Sequence, residues 1–185
     1  ACFTFGDQWQ YRPTNETYKS ANDVIRQLIE IRAKGGNFLL NFGPDAQGMF
    51  PPDQKGKLNE ISAWMFINRE AFEETVPFKI TNESNIWFLK KPNENTVYAF
   101  LLEDDWDLGE RKQFNISTLK STENTKISIL GQNSLVLEYN PNVDPKPSVK
   151  NTDDGVEISV MRAQRIYNDR KWPNPIVVKL YNIDF

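Results

Sequence analysis

The segment from Gly35 to Gly48, GGNFLLNFGPDAQG, constrains the fold more than any other part of the sequence. It combines a helix stop, an apolar run and a polar loop rich in turn residues. The run Phe38–Phe42 is almost continuously apolar, which predicts a strand covered on both faces, as in a parallel sheet. In parallel sheets, functional sites lie in the loops that follow the carboxyl ends of the strands. The segment therefore predicts one end of a barrel or of an open α/β sheet, with a candidate site after the strand.

Helical patterns flank this predicted strand, which covers residues 37–42. A helix is predicted from Ser20 to Gly35, with Asp23 in the spacing of a capping box. A second helix is predicted from Pro51 to about residue 73. Residues 1–19 are aromatic and rich in turn residues, and they are predicted to form a loop. The order helix–strand–helix is one slice of a (β/α) array, and a complete barrel needs eight strands.

The periodicity changes from helical to alternating after Pro77. Apolar runs at 86–89 and 97–102 flank a turn-like segment, which predicts a hairpin. Further short strands are predicted at 112–117, 125–130, 135–139, 155–160 and 176–182. The expected fold class is α/β plus all-β, with two domains. Residues 1–76 would form the terminal segment of a (β/α)8-like barrel, and residues 77–185 an antiparallel β-sandwich.

The composition excludes several classes of function. The net charge of −3 argues against a general nucleic-acid binder or a binder of anionic membranes. No apolar run approaches the roughly 18 residues that cross a bilayer. The sequence contains no histidine, so zinc centres of the usual kind, Ser-His-Asp triads and Cys-His pairs cannot be assembled from it. Any catalysis by these residues would depend on carboxylates, lysine, tyrosine or the single cysteine, Cys2.

Three motifs carry a family resemblance. The segment Gly35–Gly48 resembles the motif that closes the catalytic barrel of retaining α-L-fucosidases, glycoside hydrolase family 29. The next motif combines LNEISAW, Leu58–Trp64, with NREAF, Asn68–Phe72, and is similar to the helix that follows in that family. Upstream, DQWQY, Asp7–Tyr11, resembles the family's Trp-Gly-Tyr motif, with Gln10 in place of the usual glycine. The three motifs occur in the family's order.

The resemblance implies a function for the chain. The chain would be the C-terminal portion of an enzyme that hydrolyses terminal α-L-fucose from glycoconjugates with retention, without a metal or another cofactor. Retaining glycosidases use two carboxyl groups about 5–5.5 Å apart, a nucleophile and an acid/base. In the family the nucleophile is an aspartate on an earlier barrel strand, so no nucleophile is assigned here. The chain alone is expected to be catalytically incomplete and to need the remainder of the barrel. Export to a periplasm, a lysosome or the medium is implied by the family alone.

Four residues are candidates for the site. Glu16, five residues past Tyr11, is the candidate acid/base by resemblance, and its alternative role is a solvated loop carboxylate. Trp9 and Tyr11 are candidates for packing against a sugar ring, and their alternative role is wedging between barrel helices. Phe42, at the carboxyl end of the predicted strand, is a candidate contact for the C6 methyl group of fucose. Its alternative role is a core residue beneath the loop.

A second hypothesis is a carbohydrate-binding or scaffold β-sandwich module without catalysis. Sandwiches do serve as lectins, but fold alone is only an analogy. Fucose binding by isolated residues 78–185 would separate the two hypotheses, because a binding module would retain its ligand and an enzyme fragment would not.

Overall fold

The computed structural model describes residues 1–132, 144–163 and 174–185 of the chain. Two α-helices and ten strands lie in these ranges, and a short 3₁₀ helix, Arg69–Ala71, follows the second α-helix. The elements in chain order are β1 (Cys2–Thr4), α1 (Ala21–Ala33), β2 (Leu39–Asn41), α2 (Pro52–Asn68), β3 (Val76–Glu83), β4 (Ile86–Lys90), β5 (Thr96–Leu101), β6 (Arg111–Ile116), β7 (Lys120–Ile129), β8 (Ser148–Thr152), β9 (Gly155–Met161) and β10 (Ile176–Asp184). Neither described helix is long and apolar enough to span a bilayer.

A pair of short parallel strands begins the fold. β1 pairs with β2, with Cys2 opposite Leu39 and Thr4 opposite Asn41, and α1 connects the two strands. The prediction that residues 1–19 form only a loop was wrong, because β1 lies within them. A strand of three residues is too short to show alternation in the sequence. Its partner also lies far along the chain, so local sequence does not reveal the pairing.

Helix α1 begins as the sequence predicts. The Ser20 hydroxyl accepts a hydrogen bond from the Asp23 N–H at 3.0 Å, and the Asp23 carboxylate accepts one from the Ser20 N–H at 3.3 Å. The predicted capping box is therefore present. The helix ends shortly before Gly35, whose φ of +81° lies in the left-handed region that glycine adopts without strain.

Strand β2 is shorter and more exposed than predicted. The sequence predicted a strand over 37–42 that is covered on both faces. The observed strand spans Leu39–Asn41, and 63% of Leu39 is exposed. Among the described residues, β1 is its one strand neighbour. The sequence of the run is typical of a buried strand, but the described part of this chain does not bury it.

Helix α2 packs on the β-strands through a buried tryptophan. Trp64 is fully buried, and its indole N–H donates a hydrogen bond to the Pro175 carbonyl at 2.8 Å. Pro52 occupies the first helical turn, as predicted. The α-helix ends at Asn68, earlier than predicted, and the short 3₁₀ helix Arg69–Ala71 follows it directly.

The remaining strands form two antiparallel sheets. The larger sheet has the order β3-β4-β5-β10-β7, and the smaller has the order β6-β9-β8. The predicted hairpin is present as β4 and β5, and the strands predicted at 112–117, 125–130, 155–160 and 176–182 correspond to β6, β7, β9 and β10. The sequence did not predict β3, which contains Pro77, or β8, which is mostly polar. The strand predicted at 135–139 lies outside the described residues.

The larger sheet is covered on both faces. One apolar cluster, which includes Phe88 and Ile158, fills the space between the two sheets. A second cluster, which includes Trp64 and Phe100, lies between the larger sheet and the helices. Because successive side chains of a strand point to opposite faces, all six residues of β5 are buried.

The Glu83 carboxylate, at the end of β3, ties the two sheets together. It accepts hydrogen bonds from the N–H groups and the hydroxyls of Ser117 and Thr118, at 2.6 to 3.0 Å. Both residues directly follow β6 of the smaller sheet. Burial alone would raise the pKa of Glu83, but these hydrogen bonds outweigh it and hold the pKa below its ordinary value of 4.5.

The Glu70 carboxylate makes a similar link between the short 3₁₀ helix and the larger sheet. It accepts a hydrogen bond from the Tyr98 hydroxyl at 2.8 Å and another from the Lys179 ammonium group. Burial alone would raise the pKa of Glu70, but the two donors outweigh burial and hold the pKa below 4.5.

Candidate functional site

The carboxyl ends of β1 and β2 lie side by side because the two strands are parallel. The loops that follow them, residues 5–20 and 42–51, therefore meet at the same end of the molecule. The Phe5 N–H donates a hydrogen bond to the Asn41 carbonyl at 2.9 Å, which joins the two loops at their start. All four residues that the sequence singles out, Trp9, Tyr11, Glu16 and Phe42, belong to these two loops.

An aromatic cluster forms the floor of this end. The fully buried Phe5 ring lies 4.9 Å from the Phe42 ring and 5.7 Å from the Tyr18 ring, measured between ring centroids. Phe42 also meets the half-exposed Phe50 edge-on at 5.8 Å. Phe42 is therefore held between two other rings, a contact that matches its alternative role as a packing residue beneath the loop.

Glu16 is half-buried in the first loop. Its Oε2 accepts a hydrogen bond from the Tyr18 hydroxyl at 2.9 Å and one from the Arg12 N–H at 3.2 Å. The carboxylate lies directly against Gly6, where an added Cβ would come within 2.2 Å of Glu16 Oε1. The glycine at position 6 thus leaves the space in which the carboxylate sits.

Trp9 and Tyr11 lie across the end of β2. The Asn41 amide donates a hydrogen bond to the Trp9 carbonyl at 2.7 Å, while 56% of the Trp9 residue surface remains exposed. At Gly43 an added Cβ would come within 2.5 Å of the Tyr11 nitrogen, so the close approach requires glycine there. The structure therefore brings the Trp-x-Tyr motif into contact with the segment Gly35–Gly48.

Three further residues lie at the carboxyl ends of β1 and β2 and were not predicted from the sequence: Tyr18, Gln54 and Lys57. The buried Gln54 amide donates a hydrogen bond to the Gly43 carbonyl at 3.2 Å. The Lys57 ammonium donates one to the Tyr18 carbonyl at 3.0 Å and lies 5.7 Å from the Tyr18 ring centroid. Their spacing places Gln54 and Lys57 on one face at the start of α2, but no sequence signal shows that this face meets Tyr18.

The Tyr18 phenol is kept protonated. Burial, reinforced by the hydrogen bond to the Glu16 carboxylate, raises the pKa of Tyr18 above its ordinary value of 10. The phenol therefore acts as a hydrogen-bond donor to Glu16 at neutral pH, and it fixes the direction of the carboxylate.

In the second loop, the Asp45 side chain bonds to the backbone of the same loop. Asp45 Oδ1 accepts hydrogen bonds from the N–H groups of Gln47 at 2.9 Å and Met49 at 2.8 Å. This is the local side-chain to backbone bonding that aspartate commonly provides in turns. Within residues 1–132, 144–163 and 174–185, no group of three Asp, Glu, Cys or His side chains is placed to hold a metal ion.

Comparison with known proteins gives matches to α-L-fucosidases. Residues 1–70 match the family described as Alpha-L-fucosidase. Over 162 residues the chain is 30% identical to the Alpha-L-fucosidase of Dictyostelium discoideum, a match that covers 86% of this chain and 33% of that protein. Over 128 residues it is 30% identical to the Plasma alpha-L-fucosidase of Rattus norvegicus, covering 66% of this chain and 27% of that protein. The chain thus spans about a third or less of these relatives.

The fold is also similar to that of a solved structure. The α-fucosidase of Thermotoga maritima, solved in complex with a mechanism-based inhibitor, superposes with a TM-score of 0.70 at 20% identity. The superposition covers 98% of this chain and 39% of that chain. At this identity the likeness concerns the fold. Together with the match over residues 1–70 and the curated relatives, it confirms the resemblance drawn from the motifs: the chain belongs to the α-L-fucosidase family, as a C-terminal portion of such a protein.

Proposed function

We propose that this chain is the C-terminal part of a retaining α-L-fucosidase, which hydrolyses terminal α-L-fucose from glycoconjugates. The observation that carries the proposal is the open parallel pair of β1 and β2 in a member of this family. Neither strand has a second strand neighbour among the described residues. All-parallel sheets occur with both faces covered, and an isolated pair of strands is marginal in water. The other strands of a (β/α)8 barrel would pair with both free edges.

The remainder of the barrel is therefore the proposed partner of residues 1–76. In this arrangement β1-α1-β2-α2 are the last two βα units, one strand more than the sequence predicted. Four of the exposed large apolar side chains on this half, with exposures of 39% to 63%, are proposed to be covered by the remainder of the barrel: Phe3, Leu39, Met49 and Phe50. Residues 77–185 would form the C-terminal β-sandwich, a proposal supported by two antiparallel sheets that share one core.

The alternative, an independent carbohydrate-binding sandwich, is disfavoured by what covers the larger sheet. Tyr98, Phe100 and Val177 are fully buried in the cluster that the helices share with the sheet. A sandwich consisting only of residues 77–185 would expose this face to water, which makes the helices part of its core and not an attached adaptor.

The site proposal places fucose at the carboxyl ends of β1 and β2. Glu16 is the proposed acid/base, supported by its half-buried position at this end and by the hydrogen bond that orients it. Trp9 and Tyr11 are proposed to line the sugar pocket, and the exposed ring of Trp9 suits such a contact. Phe42 is proposed to support the pocket, with its ring packed between Phe5 and Phe50. The nucleophile would come from the remainder of the barrel.

Export of the protein is proposed from the same family relationship. A matched relative is named a plasma α-L-fucosidase. A fucosidase that acts on glycoconjugates outside the cytosol would meet its substrates in a periplasm, a lysosome or the medium.

Activity of the complete protein tests the proposal. The complete protein should hydrolyse an aryl α-L-fucoside, and ¹H NMR should show α-L-fucose as the first anomer released, since retention preserves the configuration. The 185-residue chain alone should show no turnover. Fucose binding by the chain alone, together with an inactive complete protein, would replace this proposal with the binding module.

The variant Glu16→Gln in the complete protein tests the acid/base role. A general acid/base contributes roughly 10²–10⁴-fold, so kcat should fall by at least about 100-fold and the pH–rate profile should lose one limb. A loss below about tenfold would remove Glu16 from the site and leave it as a loop carboxylate. The activity assay on the unmodified protein is independent of this outcome.

A further inference from the structure

A groove of about 470 Å³ lies between α1 and the larger sheet. Its volume falls within the range of small-molecule sites. It does not include Trp9, Tyr11, Glu16 or Phe42. The side chains that matter for its chemistry are Lys19, Asp23, Arg26, Gln27, Glu30 and Trp87.

The charges around the groove are balanced. Lys19 and Arg26 contribute two cations, and Asp23 and Glu30 contribute two carboxylates. Arg26 is further paired with Asp104, at the surface. A strongly charged ligand would therefore gain little net attraction here, because the lining holds as many cations as anions. A neutral ligand that both donates and accepts hydrogen bonds suits this lining better.

Two further side chains favour a sugar among neutral ligands. Trp87 is half-buried and contributes an aromatic wall to the groove, and the Lys34 ammonium lies 5.5 Å from its ring centroid. Gln27 Oε1 is buried and accepts no hydrogen bond from the described residues. Buried polar atoms normally have a hydrogen-bond partner, so Gln27 Oε1 is an acceptor beside the groove that lacks a donor among the described residues. A rotation of the Gln27 amide toward the groove would let it bind a hydroxyl group.

We propose that this groove is a secondary saccharide subsite, in which a neutral sugar unit packs on Trp87 and bonds to Gln27. The carboxylates of Asp23 and Glu30 bond to Ser20 and Lys34, and their remaining acceptor capacity is available to sugar hydroxyls. The proposal rests on the proposed function for the kind of glycan, a fucosylated oligosaccharide. It adds a binding site for a part of that glycan remote from the bond that is cut.

Two variants of the complete protein, Gln27→Ala and Trp87→Phe, test the subsite. Phe66→Ala is the matched control, because Phe66 is 84% exposed and does not line the groove. Two substrates are compared, an aryl α-L-fucoside, which has no sugar unit besides fucose, and the neutral oligosaccharide fucosyllactose. For each variant, KM and kcat on both substrates and the Tm are measured. The Kd for fucosyllactose is measured with Glu16→Gln added to each protein, so that cleavage is slow during the binding experiment.

Both groove variants should weaken fucosyllactose binding at least fivefold and leave kcat/KM for the aryl fucoside within twofold. The control should change neither quantity. Unchanged fucosyllactose affinity in Gln27→Ala and Trp87→Phe would overturn the subsite, and so would equal losses on both substrates, which indicate a structural effect. Gln27 is only half-buried and an alanine is well tolerated in a helix, so Gln27→Ala provides the test if Trp87→Phe does not fold.

The subsite and the proposed function fail in different ways. If the unmodified protein does not cleave either substrate but binds fucosyllactose with an affinity that Gln27→Ala reduces, the subsite stands and the fucosidase proposal falls. If both substrates are cleaved and the variants bind fucosyllactose normally, the fucosidase proposal stands and the subsite falls.

Discussion

Strands β2 and β5 have similar apolar sequences and opposite surroundings. The run Phe38–Phe42 around β2 leaves Leu39 63% exposed, whereas every residue of β5 is buried. The difference lies in what covers each strand, since β5 has a sheet partner on both edges and an apolar cluster on both faces. An apolar run thus shows that a strand needs burial, but it does not show which part of the protein provides it.

The largest difference is expected from truncating one large apolar residue in each strand, Phe100 in β5 and Leu39 in β2. Phe100→Ala should lower the free energy of unfolding of the 185-residue chain by about 3–5 kcal/mol, because Phe100 is fully buried. Leu39→Ala should change it by about 0.5 kcal/mol or less in the same chain, since a largely exposed side chain contributes little. Urea denaturation followed by circular dichroism measures both values.

The complete protein sharpens the same comparison. There Leu39→Ala should cost about 2–5 kcal/mol, because the proposed barrel buries the leucine, while the cost of Phe100→Ala should stay the same. An equally small effect of Leu39→Ala in both proteins would mean that no other strand covers β2, and the barrel proposal would be wrong.

A smaller effect is expected from adding a methyl group at Gly43, where the backbone closely approaches the Trp-x-Tyr motif. In Gly43→Ala the new methyl group would meet the backbone of Gln10 and Tyr11, so we expect a loss of about 1–3 kcal/mol from overpacking. Gly56→Ala is the matched control, because an added Cβ there meets nothing within 4 Å. In the interior of α2 that alanine should stabilise the chain by roughly 0.5–1 kcal/mol. Thermal unfolding of the two variants should therefore shift in opposite directions, and parallel shifts would refute the close contact.

The smallest expected effect is a dependence of stability on pH. Glu70 and Glu83 have pKa values below 4.5 in the folded state, so the unfolded chain binds protons more readily as the pH falls. Their contribution to stability is complete above the unfolded pKa and is lost as the pH falls through the folded pKa. The free energy of unfolding should therefore decrease in acid, and less steeply in the variant Glu70→Gln/Glu83→Gln.

The isosteric variant Thr118→Val tests one of the hydrogen bonds behind this pH dependence. It removes the hydroxyl that donates to Glu83 and leaves the shape of the side chain nearly unchanged. It should reduce the acid dependence by a fraction of the double variant's effect, as followed by denaturation at a series of pH values. An unchanged pH profile in both variants would mean that these hydrogen bonds do not stabilise the folded state.

The sequence predicted those parts of the fold that depend on local signals. The Ser20–Asp23 capping box and the hairpin of β4 and β5 are specified by residues that are close in the chain. β1 was missed because its signal is its pairing with a distant strand, and β8 was missed because its sequence is polar. The exposure of β2 could not be predicted, since it depends on what packs against the strand, and the sequence of the strand does not encode that.

For the candidate site, too, the sequence predicted what depends on local signals and missed contacts between residues that are distant in the chain. The sequence motifs indicated two loops that lie side by side in the structure, because glycines and aromatic residues mark them in the sequence. The contact of Gln54 and Lys57 with this end depends on the angle at which α2 leaves the second loop, which no local pattern encodes. The role of Glu16 remains a prediction for the experiment above.

The central position of β5 has a consequence for how the protein unfolds. Its amide hydrogens are enclosed by β4 and β10, and its side chains join the helical layer to the smaller sheet. Such amides exchange with solvent only when the whole structure opens. The slowest-exchanging amides of β5 should therefore report the same opening free energy as those of α1. A boundary near residue 76 would then separate two kinds of secondary structure within one cooperative folding unit.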